Sequence, residues 1–232
     1  TPLGAQAAPR RRLEREALPV TLYVATGRVQ SGVPYWFDAV VNAVQTAEPL
    51  IIDADAAGLG RITLNLERGE ANWLRISALL EAMKALDPEP RDALAARIVT
   101  ATAASRRLRF RALVPLDVAQ LRELAQSRWV TIGSHSHGHQ LLDRIDLGAA
   151  RDSIAQSIAL LAQWTGRAVT HFAYPNGNYN GPLAGALPAL GLTSAVTTRH
   201  GLWRRDGSRY ELPRVGVGRF DDAARLRLSL LG

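Results

Sequence analysis

Residues 129–142 read WVTIGSHSHGHQLL, and three of the chain's five histidines fall inside this one run. Trp129, Val130, Thr131 and Ile132 are β-prone and end at Gly133, which predicts a short buried strand whose carboxyl end delivers the polar stretch Ser134 to His139. That edge is where α/β folds gather their sites. His135 and His139 are four apart, so a helical turn after the strand would aim both imidazoles at one ion and leave His137 pointing elsewhere. The spacing alone is loose, and it also fits a polar loop with histidines bonded to backbone.

Working outward, the flanks alternate between helical and strand patterns. Asp117 is placed to cap a helix with Gln120 in capping-box position, and Val118, Leu121, Leu124 and Ala125 form its apolar stripe, leading straight into the 129–133 strand. After the histidines, residues 147–164 read as an amphipathic helix closed by Gly166. Residues 168–174 then read as a strand, broken by a turn at Pro175, Asn176 and Gly177 on the same edge as the histidines. Residues 192–197 read as a further strand and 221–231 as a closing helix. Upstream, residues 10–17 look like the end of an exposed helix stopped by Pro19, before a buried strand over residues 20–25 bounded by Gly27.

Residues 34–112 carry little chemistry. A helix is expected over 36–44, a hairpin from 50–53 and 61–66, and helices over 74–86 and 91–102 around the breaker Asp87, Pro88, Glu89 and Pro90. Asp53 and Asp55 sit near a turn, where a carboxylate pair more often caps a loop than binds an ion. This alternation of strands and helices predicts an α/β protein with a parallel sheet.

With 232 residues and 47% hydrophobic content, the chain can bury one sizeable α/β core. No run of eighteen apolar residues occurs, so no transmembrane segment is expected. The opening residues lack the apolar core of a signal peptide, which leaves localisation open. The net charge of +7 is carried almost wholly by arginine, since Lys84 is the only lysine. Such a balance permits binding to nucleic acid, anionic glycans or an acidic membrane surface, but scattered arginine usually means a solvated face, and with only charge behind it no nucleic acid is expected as a partner. With no cysteine, the chain has no disulfide, thiolate metal site or cysteine nucleophile.

Several stretches together carry a family likeness. GSHSHGH followed by Leu141 resembles the His-Ser/Thr-x-x-His metal motif of the polysaccharide deacetylases, the NodB-homology or carbohydrate esterase 4 family. LEREALPVTLYVATGRVQSGVPYWFD resembles that family's helix and "LPATFFVATG" strand, FAYPNGNYN its third motif, and TTRHGLWRRDGSRYELPRV a late segment ending in "LPRV". The resemblance implies a distorted, incomplete (β/α) barrel, a single domain over residues 1–232 with residues 36–112 inserted. It further implies that His135 and His139 hold Zn2+ or another divalent metal, and that the backbone amide of Asn176, set by Tyr174 and Pro175, helps hold an oxyanion. The substrate implied is an N-acetylated (or O-acetylated) polysaccharide.

There are departures. The family's first strand ends in Thr-Phe-Asp-Asp-Gly, which supplies the catalytic base and third metal ligand, and no such sequence occurs here; the chain is expected to begin just after that motif. The aromatic usual at position 176 and the arginine many relatives carry at position 173 are replaced by Asn176 and Ala173. No late Leu-x-x-His motif is present, so no motif supplies a general acid; His200 is one option, although a loop histidine is more often simply solvated. An alternative is therefore a non-catalytic glycan-binding pseudoenzyme on the same fold.

Overall fold

The computed structural model describes residues 13–44, 50–64, 70–103, 112–218 and 221–231. The chain divides into two compact units, one of residues 33–115 and one of residues 1–32 with 116–232. The second unit is built on five strands: β1 (Val20–Val24), β4 (Val130–Ser134), β5 (His171–Ala173), β6 (Ser194–His200) and β7 (Leu212–Arg214). They pair in that order and all in parallel, the arc of an incomplete (β/α) barrel expected from the sequence. Parallel neighbours need long crossovers. Helices α5 (Val118–Ala125), α6 (Leu147–Thr165) and α7 (Gly181–Ala186) lie in them.

Local chemistry accounts for the helix ends. The Asp117 carboxylate accepts from the Gln120 amide at 2.8 Å, and the Gln120 side chain accepts from the Asp117 amide at 3.0 Å, which satisfies two otherwise orphaned donors at the start of α5. Gly166 ends α6 in the left-handed conformation. Along α6, Ala150, Ile154, Ser157 and Leu161 are buried at helical spacing, so one stripe of this helix meets the sheet. Leu161 packs with Val24, Leu121, Val130 and Ile132; Ile154 packs with Phe172, Tyr174, Leu183 and Ala195.

Three expectations are corrected. β1 is half-buried rather than buried: only Val24 is inside and Thr21 is exposed, because among the described residues β1 is paired on one side alone, with β4. β5 is limited to three residues, since the Thr170 carbonyl leaves the ladder to accept from the amide and hydroxyl of Thr193. β6 begins two residues later than read and continues to His200. Of the helix read over residues 10–17, residues 10–12 lie outside the described residues, and 13–15 are helical.

The other unit has its own core. Helices α2 (Trp36–Val44), α3 (Glu70–Lys84) and α4 (Pro88–Ala103) enclose Val40, Val44, Ile76, Leu79, Met83, Leu94 and Ile98 together with Ile52 of the antiparallel hairpin β2 (Leu50–Asp53) and β3 (Arg61–Leu64). Helix α4 starts earlier than expected, at Pro88, because proline suits a first helical turn, whose amides have no partner within the helix. Asp53 accepts from the Asp55 amide at 3.1 Å, which makes the aspartate pair a turn cap. The Asn42 amide group exchanges two bonds of 2.7 Å with the backbone of Leu113 and ties the end of this segment to its first helix.

One position in the sheet tests its tightness. Gly133 faces Tyr23 across the β1–β4 ladder, and a Cβ there would lie 2.6 and 2.7 Å from two ring carbons of Tyr23. Gly133→Ala should therefore destabilise the protein by about 1–3 kcal/mol in chemical denaturation, the usual range for overpacking. Adding Tyr23→Leu should recover part of the loss. An unchanged midpoint in the single variant would show that the Tyr23 ring moves aside freely.

Candidate metal centre

The loop after β4 starts as a continuation of the ladder, with the His135 amide donating to the Val24 carbonyl at 3.0 Å. It does not then form the helical turn read from the sequence. Ser136 and His139 both take positive φ, 63° and 57°, so the chain reverses through two left-handed residues that are not glycine. Such conformations are held only when surrounding contacts determine them. Those contacts come from two sides. The amides of Thr26 and Gly27, at the start of α1 (Thr26–Ser31), donate to the carbonyls of Ser136 and His137 at 3.3 and 2.9 Å. From α6, the Ser153 hydroxyl accepts from the His137 amide, and Ser157 bonds Ser134 within the core. A Cβ on Gly27 would lie 2.8 Å from the His137 oxygen, so this approach requires glycine.

This loop brings His135 and His139 together and turns His137 away. The rings of the pair are 4.7 Å apart between centroids and inclined at 78°. His137 Nδ1 is 2.9 Å from the Thr26 hydroxyl, which makes it part of the clamp. His135 Nδ1 is 2.7 Å from the Ala173 carbonyl; a carbonyl can only accept, so the proton lies on Nδ1 and Nε2 keeps its lone pair. Histidine ligands of metals are commonly oriented by a bond of this kind.

Electrostatics favour the same state. Burial lowers the His135 pKa, opposed by its bond to Ala173 and reinforced by the Arg214 guanidinium. His139 is lowered from 6.5 to about 4, first by burial and then by repulsion from His135, with Arg28 adding to it. Both imidazoles are thus neutral at neutral pH, the form in which they bind cations.

The pair fits a divalent ion as two of its ligands, and the described residues do not complete the set. Among them no group of three or more His, Asp or Glu is arranged to hold a metal. Asp143 faces the Pro175 turn instead: Oδ2 accepts from Asn178 at 3.4 Å, and Oδ1 is buried with no hydrogen-bond partner among the described residues. Asp206 lies in the loop joining β6 to β7, and His200 ends β6, exposed.

Strand β5 adjoins β4, with Phe172 opposite Ser134, so the Pro175 turn emerges beside the histidine loop at the same carboxyl edge. The carbonyl that holds His135 is that of Ala173, two residues before Pro175. The turn is a single 3-10 stretch over Pro175–Gly177 in which Asn176 takes φ 56°, ψ 5°, a left-handed conformation that asparagine tolerates. The Gly177 amide closes the turn on Tyr174 at 2.8 Å, and the Thr198 hydroxyl reaches the Asn176 carbonyl at 3.4 Å. The Tyr174 ring is in the core, its hydroxyl donating to the Tyr210 carbonyl at 2.9 Å. Burial, then the charge of Glu211 and the neighbouring Tyr179, raise its pKa, so the phenol stays neutral and anchors the turn from below.

Sequence reading missed the residues that position this site. Thr26, Gly27, Ser153 and Ser157 are ordinary helix and turn residues until the fold sets them against the histidine loop. Arg214, read only as part of the LPRV segment, donates to the Thr197 carbonyl at 2.6 Å and lies near enough to act electrostatically on both His135 and Tyr23. A charged residue inside a strand of a site-bearing sheet was the available signal.

Comparison with known proteins agrees with the family likeness. The family model described as "Polysaccharide deacetylase" matches residues 91–195, which include the histidine loop and the Pro175 turn. Among curated proteins none matches the chain. Solved structures similar to it include the Streptococcus pyogenes deacetylase PplD in complex with acetate, at 19% identity over 51% of this chain and 52% of that one with a TM-score of 0.48. A polysaccharide deacetylase from Bacillus cereus is similar at 17% identity, with 60% and 47% covered and a TM-score of 0.47. The BpsB deacetylase domain from Bordetella bronchiseptica is similar at 23% identity, with 43% and 48% covered and a TM-score of 0.39. The chain thus spans about half the length of these three structures.

The depressed histidines make stability depend on pH. The unfolded chain protonates His139 near 6.5, whereas the folded protein keeps it neutral to about 4, so the unfolded state binds more protons in that window and stability falls as pH falls through it. His135 is shifted in the same direction and adds to the loss. Denaturation midpoints measured in chelator should be level above pH 6.5 and decline below it, and His139→Gln should reduce the decline. Equal declines in the two proteins would show that His139 is not held neutral by the fold.

Proposed function

We propose that this chain of the polysaccharide deacetylase family hydrolyses acetyl groups on an N-acetylated (or O-acetylated) polysaccharide at the carboxyl edge of its sheet. One observation carries the reading: two neutral histidines lie 4.7 Å apart, one oriented by the Ala173 carbonyl of the strand that leads into the Pro175 turn. His135, through Nε2, and His139 would hold Zn2+ or another divalent ion. Such an ion, when bound, polarises a carbonyl and lowers the pKa of water towards ~7.

The chain's own residues would do the rest. The backbone N–H of Asn176 would donate to the oxygen on which charge develops, a contribution that depends on the amide being fixed before the reaction. Pro175 and the buried Tyr174 hold that amide in place from within the fold. Catalytic zinc usually takes three protein ligands, and proton removal needs a base. The family likeness implies two aspartates of a Thr-Phe-Asp-Asp-Gly strand for these roles, and that sequence does not occur in these 232 residues. The chain alone should therefore hold metal weakly and turn over slowly.

A second reading, a glycan-binding pseudoenzyme, has one observation in its favour: the described residues bring together two imidazoles and no group of three possible ligands. Acetate release from an acetylated oligosaccharide, with zinc titrated, separates the readings. A chain extended upstream through an aspartate-bearing strand should release acetate at least ~10²-fold faster than the chain alone, the usual worth of a general base. In the extended chain, His135→Ala or His139→Ala should abolish metal binding and acetate release, while His137→Ala keeps the metal. Equal, measurable rates with and without the extension would mean that another carboxylate, such as Asp143 or Asp206, completes the site. Sugar binding without acetate release in either chain would favour the pseudoenzyme.

A further inference from the structure

The loop between β6 and β7 borders an open cleft of about 300 Å3 that the catalytic reading does not use. Its lining includes Arg199, Leu202, Trp203, Arg204, Asp206 and Glu211. Leu202 and Trp203 are 62% and 41% exposed, two adjacent apolar side chains in a mainly polar loop. The indole is not loose: Trp203 Nε1 donates to the Gly207 carbonyl at 3.3 Å, and Gly207 is closed onto Arg204 by a 2.9 Å bond. The floor is fixed as well. Arg199 donates to the Glu211 carbonyl at 2.9 Å, and Tyr179 donates to the Glu211 carboxylate at 3.0 Å.

The cleft lies past the carboxyl end of β6, the sheet edge that also carries the Pro175 turn. Thr198, whose hydroxyl reaches the Asn176 carbonyl, is next to Arg199 in β6, and Tyr179 follows the same turn by three residues. A polymer with one unit at the histidine pair would lay a neighbouring unit along this loop. The geometry points to a saccharide subsite here, in which one neutral pyranose unit stacks its C–H face on Trp203 while Arg199, Arg204, Asp206 and Glu211 bond its hydroxyls. The volume is at the lower end of the roughly 300–1,000 Å3 typical of small-ligand sites, enough for one ring rather than several. Two guanidiniums against two carboxylates give no net charge, which suits paired hydroxyl donors and acceptors and works against a uronic acid. Stacking buries apolar surface on both partners, and an amphipathic aromatic ring serves this well.

This inference rests on the polysaccharide reading, and a binding experiment separates the two. The probes are a β-1,4-linked N-acetylglucosamine tetramer and, as an anionic control, tetragalacturonate, each titrated calorimetrically into the full chain. The tetramer should bind and the tetragalacturonate should bind more weakly. Trp203→Ala should weaken tetramer binding by about tenfold or more, the scale of burying one ring face. Trp203→Phe should keep most of the binding, which shows that the loop still folds. In an active, upstream-extended chain Trp203→Ala should raise KM for the tetramer with little change in kcat. No binding by the wild-type chain, equal binding by Trp203→Ala, or preference for tetragalacturonate would overturn the subsite. Binding that depends on Trp203 in a chain that never releases acetate would leave the subsite standing and remove the deacetylase reading.

Discussion

The register of β4 between β1 and β5 is the constraint on which the rest of this unit depends. Ser134 lies opposite Val24 on one side and Phe172 on the other. Because side chains alternate along a strand, a slip of one residue would put Ile132 and Val130 on the wrong face and carry His135 away from the Ala173 carbonyl. The register is held by packing on the helix side, where Val130 and Ile132 meet Leu121 and Leu161, and by the close approach of Tyr23 over Gly133. A parallel sheet delivers all its loops to one edge, so the same register that builds the core assembles the site.

Past the end of β4 the backbone is strained and the strain is contained. Two left-handed non-glycine residues, Ser136 and His139, cost free energy that the loop alone could not offset. The clamp from Thr26 and Gly27 on one side and Ser153 on the other satisfies the loop's polar groups while fixing its path. What results is a pair of imidazoles that are half-buried, neutral and held close together. Arg28 and Arg214, from α1 and β7, disfavour protonation further, so two elements distant in sequence help set the electrostatics of the site.

The arginine excess has no comparable organisation. The ion pairs found among the described residues join near neighbours, such as Arg15 with Glu16, Arg91 with Asp92 and Lys84 with Glu81. Exposed pairs of this kind are worth little. The arginines that matter to the reading are the few placed at the carboxyl edge of the sheet, and their importance comes from position rather than from number.

Much of this was legible in the sequence, for a physical reason. Capping boxes, glycine stops, β-branched runs and helical stripes are local signals, and the elements around Asp117, Gly166 and residues 130–134 follow from them almost unaided. The spacing of His135 and His139 and the FAYPNG turn are local as well, which is why the candidate site could be named from the chain alone. The route by which the histidines meet was not local: the spacing suggested a helical turn, whereas the fold uses two left-handed residues pinned by α1 and α6. Nor could the sequence show that His137 belongs to the clamp, that Tyr174 points into the core, or that Arg214 reaches the pair. Those facts depend on contacts between residues tens of positions apart, and such contacts exist only once parallel pairing has brought the ends of β1, β4, β5 and β7 to one edge.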